Sequence, residues 1–315
     1  MATAFVFPGQ GSQVVGMGKV LAETFAPARA VFDEVDAALG QKLSQLMWDG
    51  PEGDLTLTEN AQPALMAVSM AVIRVLEAEH GITVGSAATF VAGHSLGEYS
   101  ALAAAGTFSL ADAARLLKTR GQAMQSATPV GVGAMAALLG LDFATASAVA
   151  AEAAQGDVCQ AANDNSDGQV VVSGHKAAVE RALDIAKAKG AKRAILLPVS
   201  APFHCALMQP AADVMADALA KVTMNAPVVP VVANVGAAPL SDPQAIRDSL
   251  VKQVTGTVRW RECMAYMAAN GVDRFYEIGA GKVLTGLAKK NAPEATASAI
   301  STADDIAAAA AQIKG

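Results

Sequence analysis

Two periods of apolar and polar residues alternate along the chain. Residues 4–7 form a short apolar run that reads as a buried strand, closed by the tight loop Pro8-Gly9-Gln10-Gly11-Ser12-Gln13. Helical spacing follows over roughly 19–39 and again over 62–79, where Pro63 takes a first-turn position and Ala64, Leu65, Val68, Val72 and Val75 line one face. Residues 87–92 read as a second buried strand, 95–105 as a helix, and 110–126 as a further helix that carries Arg120. Strands alternating with helices predict an α/β fold whose parallel sheet is covered on both faces.

At Thr128-Pro129 the elements change character. The spacing predicts a strand over 133–139, a helix over 142–154, strands over 158–162 and 169–173, a helix over 176–189 and a strand over 193–198. This βαββαβ order is that of a ferredoxin-like unit. The expected organisation is therefore a large, discontinuous α/β domain, residues 1–127 and 199–315, with a small ferredoxin-like subdomain inserted at 128–198. The polar link 163–168 predicts a turn, with Asn163 as a candidate substrate contact.

Composition removes several function classes. The chain has 315 residues, 53% of them hydrophobic and 17% charged, enough to bury a large core. A net charge of -6 argues against a nucleic-acid partner, which calls for a basic surplus. Three scattered cysteines, Cys159, Cys205 and Cys263, indicate neither a disulfide framework nor a metal site, and they suit a reducing cytoplasm. No basic, apolar leader opens the chain, and polar residues interrupt each apolar stretch, so neither a signal peptide nor a membrane span is expected.

Candidate chemistry centres on Gly93-His94-Ser95-Leu96-Gly97, at a predicted strand-to-helix turn. The G-x-S-x-G spacing belongs to nucleophile turns, in which glycines clear room and a serine hydroxyl faces the free amides of a helix N-terminus. A serine that merely caps the helix has the same position, and the spacing is shared by hydrolases and acyltransferases. The loop at Gly9 and Gly11 fits no phosphate-binding fingerprint, because Val14 stands where the third glycine belongs. A plain turn explains that loop equally well.

A nucleophilic serine needs a base. His94 is adjacent to Ser95, and neighbours on a turn point in different directions, so it reads as structural. His80 and His175 lie at helix ends and read as surface residues. His204, in Pro202-Phe203-His204-Cys205, follows the inserted unit, and a cleft is expected at such a junction. It is the favoured base, although a buried structural histidine fits the same residue.

Five separated motifs carry a resemblance. Phe7-Pro8-Gly9-Gln10-Gly11-Ser12-Gln13, Gln62-Pro63-Ala64-Leu65, Gly93-His94-Ser95-Leu96-Gly97-Glu98-Tyr99, Arg120-Gly121-Gln122 and Phe203-His204 stand in the order and spacing of malonyl-CoA:acyl carrier protein transacylases. Gln253 and the closing Glu277-Ile278-Gly279-Ala280-Gly281 extend the resemblance nearly end to end; Ala280 departs from the proline expected there.

The resemblance implies a hydrolase-like large domain and transfer of malonyl from coenzyme A to the phosphopantetheine thiol of acyl carrier protein, in fatty acid biosynthesis. It implies Ser95 as nucleophile, His204 as base, the backbone amides of Gln10 and Leu96 as oxyanion donors, Arg120 as the grip on the malonyl carboxylate, and the Gln253 carbonyl as the group orienting His204. Acids between Ser95 and His204 leave a triad open on sequence alone. No metal or redox cofactor is called for, and coenzyme A enters only as the substrate thioester. An acidic carrier protein needs a basic dock, for which Lys187, Lys189, Lys192 and Arg193 form the densest cluster, equally readable as a solvated helix end.

Overall fold

The computed structural model describes residues 2–199 and 201–315. Among these residues ten strands form two sheets: β1 (Ala2–Phe7), β2 (Phe90–Gly93), β7 (Val231–Ala233), β8 (Ala238–Leu240), β9 (Val272–Ile278) and β10 (Thr296–Ile300) in one, and β3 (Gly133–Leu139), β4 (Cys159–Ser166), β5 (Gln169–His175) and β6 (Arg193–Leu196) in the other. The larger runs in the order β10-β9-β1-β2-β7-β8 and is parallel except for β8, which hairpins back on β7. Along β1, Phe5 and Phe7 enter one apolar cluster while Ala4 and Val6 enter another on the opposite face. Burial on both faces is why β1 reads as an unbroken apolar run.

The smaller sheet is antiparallel, in the order β4-β5-β3-β6, and the helices Phe143–Ala154 and Lys176–Ala188 share its own apolar cluster. Its strand β4 is laced to Val258 and to Arg261 of the helix Trp260–Ala269. Val258 donates its amide to the Ala162 carbonyl and accepts from the Asp164 amide. Beside them the wholly buried Asp164 carboxylate takes the Arg261 guanidinium at 2.8 Å.

Several elements differ from the spacing. The predicted helix at 19–39 is two, Lys19–Thr24 and Ala26–Leu39, because Phe25 is extended (φ -123°) and Pro27 sits in the first turn of the second. The helix at Pro63 starts earlier, at Thr58, and runs to His80, so Pro63 lies inside it. Among the described residues it is also the helix long and apolar enough to cross a membrane, but 83% of its apolar window is buried in this fold. Residue 87 ends a short helix, Val84–Ala87, capped by Thr83 and Ser86, and strand begins at Phe90. The link at 163–168 is mostly strand: two register shifts let β4 continue through Asn163, Asp164 and Asn165 to Ser166. The helix after the serine turn spans Gly97–Ala104, leaving Ser95 in the turn itself.

The helix Leu110–Ser126 lies against the first turn of Thr58–His80 at Gly121, where an added Cβ would stand 2.4 Å from Glu59 Cα and 2.7 Å from the Thr58 carbonyl oxygen. This approach brings Arg120 to Gln62. Gly121→Ala is expected to lower stability by about 1–3 kcal/mol through overpacking, read as a lowered urea midpoint at unchanged slope. An unchanged midpoint would show that the two helices have room to part.

Candidate active site

Three parallel strands end side by side. Phe7 of β1 is in register with Gly93 of β2, and the His94 amide donates to the Phe7 carbonyl at 3.0 Å, so the Gln10 loop and the Ser95 turn lie together. Asn234 follows β7 at the same edge. Loops beyond the carboxyl ends of parallel strands are where such sheets place their chemistry.

The glycines of G-x-S-x-G are required here by close approach, and the unusual dihedral belongs to Ser95, at φ 53°. A Cβ on Gly93 would stand 1.9 Å from the Gly97 carbonyl, and one on Gly97 would stand 2.2 Å from the Phe7 oxygen. His204 also holds a positive φ, 58°. Left-handed backbone at a non-glycine residue costs on the order of 1–3 kcal/mol and persists only where its surroundings impose it.

Asn234, wholly buried, imposes the conformation of Ser95. Its Oδ1 accepts the Ser95 amide at 2.8 Å, its Nδ2 donates to the Gly93 carbonyl at 2.7 Å, and its own amide donates to Glu98 Oε2 at 2.9 Å. The Gly97, Glu98 and Tyr99 amides are taken by the His94, Ser95 and Leu96 carbonyls. The Leu96 and Gln10 amides, by contrast, have no acceptor among the described residues, and both residues line the cleft. Gly9 lets that loop settle on His94, whose oxygen an added Cβ would meet at 2.8 Å.

At Ser95 Oγ the polar partners admit one order of protons. Arg120 Nη2, which can only donate, lies 3.1 Å from Oγ, and Oγ lies 2.7 Å from His204 Nε2. His204 Nδ1 lies 2.9 Å from the Gln253 carbonyl oxygen and 3.2 Å from that of Gly256, which only accept. Nδ1 therefore carries the ring proton, Nε2 accepts from the serine hydroxyl, and no carboxylate touches the imidazole. Burial and then the nearby Arg120 charge push the His204 pKa down to about 3, so the ring is neutral at ordinary pH.

Arg120, 1% exposed, is held in four ways. Nη1 donates to Gln62 Oε1 at 2.8 Å, Nη2 donates to Gln253 Oε1 at 2.9 Å as well as to Ser95, and the guanidinium carbon sits 5.7 Å from the Tyr99 ring centre. Burial works against its charge, partly offset by Tyr99 and Glu98. The Glu98 carboxyl, its pKa raised to about 7 chiefly by burial, accepts from Asn234 and from Gln253 Nε2 at 3.1 Å. Gln253 Nε2 also donates to the Ser95 carbonyl at 3.0 Å. Of the six residues named from sequence, Gln10, Ser95, Leu96, Arg120 and His204 line one cleft, and Gln253 bonds Arg120, His204 and Ser95.

The cleft over this point measures about 370 Å³; Asn163, Leu197 and Val199 line it on the small-sheet side and Phe203 lies beside His204. His94 is half-buried, lines the cleft, bonds Asn165 at 2.8 Å and packs on Trp260 with ring centres 5.7 Å apart. His80 ends its helix, and His175 accepts the Val158 amide. In the basic cluster, Lys187 and Lys189 are paired with Asp184 and Glu152. Among the described residues no group of three or more His, Cys, Asp or Glu is placed to hold a metal ion. Asn234, Glu98, Thr58 and the bonding of Gln62 were missed in sequence; for Asn234 the available signal was its place after a short apolar strand.

Comparison with known proteins gives a consistent result. Residues 4–309 match the family model described as acyl transferase domain. The chain is 52% identical over 306 residues, 97% of this chain and 98% of the relative, to the malonyl CoA-acyl carrier protein transacylase of Escherichia coli (strain K12). Its structure matches the acyl-carrier-protein S-malonyltransferase of Bartonella henselae with a TM-score of 0.98 at 58% identity, covering 100% of both chains. It also matches a malonyl-transacylase solved in complex with its type II polyketide synthase acyl carrier protein, with a TM-score of 0.95 at 44% identity, covering 99% of this chain and 100% of that one.

A neutral, buried imidazole against Ser95 Oγ predicts the pH profile of Ser95 labelling by a fluorophosphonate. The reactive form has His204 unprotonated, so the rate should stay flat from pH 7 to about pH 4 and fall only as the pH approaches the His204 pKa of about 3. Arg120→Gln removes a charge that lowers this pKa, so its acid limb should move to higher pH. A wild-type limb near pH 6.5 would refute the assignment.

Proposed function

The chain belongs to the acyl transferase domain family, among the malonyl-CoA–acyl carrier protein transacylases, and from this membership we propose that Ser95 carries the malonyl group between two thiols. The protein transfers malonyl from coenzyme A to acyl carrier protein in fatty acid biosynthesis. The observation that carries the residue assignment is the wholly buried Arg120 guanidinium, which donates to the same serine oxygen that His204 is placed to deprotonate.

In the proposed reaction His204 Nε2 takes the Ser95 proton as Oγ attacks the thioester carbon. The carbonyl oxygen gains the negative charge, faced by the Gln10 and Leu96 amides; loss of one such donor costs roughly a hundred- to a thousandfold in rate. The C–S bond then breaks, and the proton on Nε2 passes to the departing coenzyme A sulfur, leaving a malonyl-serine ester. Gln253 and Gly256 hold the Nδ1 proton throughout, so the pair works without an acid. The carrier protein's phosphopantetheine thiol repeats these steps in reverse. Phe203, Leu197 and Val199 keep the ester among apolar groups, where water is a poor competitor.

Arg120 is the proposed selector. Its Nη2, now released from the serine hydroxyl, meets the free carboxylate of malonyl, a charge-assisted contact worth about 1.5–3 kcal/mol. Acetyl leaves the cation without that partner. The same reading takes the large unit, 1–127 and 199–315, as hydrolase-like and the 128–198 unit as a ferredoxin-like insertion; the small-sheet order and its span from Gly133 to Leu196 support this. It calls for no metal or redox cofactor, and it places the enzyme in the cytoplasm with its substrates.

Intact-protein mass spectrometry after brief exposure to malonyl-CoA should show one malonyl adduct on wild type and none on Ser95→Ala. Acetyl-CoA should give a much weaker signal. Arg120→Ala should lose about 10- to 150-fold of the malonyl preference in kcat/KM, the equivalent of that contact. Free malonate accumulating without an adduct would point to hydrolysis and overturn the transferase assignment.

A further inference from the structure

Arg120 also begins a second series of hydrogen bonds, which leads away from the serine. Its Nη1 donates to Gln62 Oε1 at 2.8 Å, which turns the amide so that Gln62 Nε2 donates to Thr58 Oγ1 at 2.8 Å. Thr58 Oγ1 in turn donates to Gln10 Oε1 at 2.9 Å. The first direction is forced because a guanidinium has no acceptor, which fixes the Gln62 amide; the last follows from Gln10 Oε1 facing the Thr58 hydroxyl. Thr58 and Gln62 are four residues apart at the start of one helix, on the same face, and both are 1% exposed. The series therefore runs from the cation proposed to hold the acyl carboxylate to the residue whose amide is proposed to hold the oxyanion.

We propose that Thr58 is a positioning residue that ties the acyl-binding cation to the oxyanion loop. The loop has few other restraints near Gln10: the Gly11 amide bonds Gln13 within the loop, and Gly11 takes φ 99°. The Thr58 hydroxyl holds the Gln10 side chain and so the plane of its amide. A carboxylate held at Arg120 Nη2 orders the guanidinium, and through Nη1 it steadies the Gln62 amide and the Thr58 hydroxyl that follow. Malonyl then gains in the rate of the chemical step as well as in binding, and acetyl, which leaves the cation unpaired, does not.

This inference rests on the malonyl-serine reading and is tested by single-turnover acylation with malonyl-CoA and acetyl-CoA. Thr58→Val keeps the shape and removes the hydroxyl. The malonyl acylation rate at saturation should fall about tenfold or more, part of the hundred- to thousandfold range for complete loss of an oxyanion donor. Half-saturation should change less than twofold, acetyl should slow less than malonyl, and Thr58→Ser should recover to within twofold of wild type. Gln10→Leu, at a half-buried position, should reproduce the loss, and joining it to Thr58→Val should add nothing further.

Wild-type rates in Thr58→Val and Gln10→Leu would overturn the proposal. So would a loss confined to half-saturation, an equal loss for acetyl, or a Thr58→Ser variant as slow as Thr58→Val. Absence of a malonyl adduct on wild type would instead remove the reading beneath it.

Discussion

Ser95 gives its proton to His204 because its oxygen already accepts from Arg120, and that order depends on a backbone turn that few sequences could form. Gly93 and Gly97 pass so close to one another and to Phe7 that no side chain fits at either position. Between them Ser95 takes a left-handed conformation, closed by Asn234 across the Gly93 carbonyl and the Ser95 amide. With the serine amide engaged by Asn234, the neighbouring Leu96 amide is the one left facing the cleft. Three strand ends in register are therefore needed to aim one hydroxyl.

Electrostatics then decides which groups keep charge in this buried place. A guanidinium remains protonated where a lysine or histidine surrenders its proton, so Arg120 is the durable cation. It helps keep His204 neutral. Glu98 lies near Arg120 but spends one oxygen on the Asn234 amide and Gln253, away from the imidazole. Orientation of His204 falls to backbone carbonyls, which do not titrate, so its tautomer is independent of pH.

Much of this arrangement was legible in the amino-acid order, for reasons that differ by residue. A parallel strand buried on both faces must be apolar throughout, which is why β1 and the serine turn after β2 could be read. The six site residues lie in short motifs whose close packing leaves few substitutes. Other features arise only when distant segments meet. Asn234 follows a three-residue strand and acquires its role from Gly93 and Ser95, about 140 positions earlier. The run at 163–168 has the composition of a turn, yet pairing with β5 and contact with Val258 hold much of it as strand, an override of local preference by tertiary contacts. Phe25, which divides one predicted helix into two, marks the limit of apolar spacing as a guide to helix ends.

The lacing of β4 to Val258 and Arg261 bears on more than assembly. A small sheet tied by paired backbone groups and by the half-buried Asp164–Arg261 pair to the segment beside the large sheet is a wall of the cleft. An inhibitor designed to occupy about 370 Å³ between these walls therefore meets a preformed mould. Little of its binding energy is diverted to reorganising the protein, and gains in shape match pass almost directly into affinity.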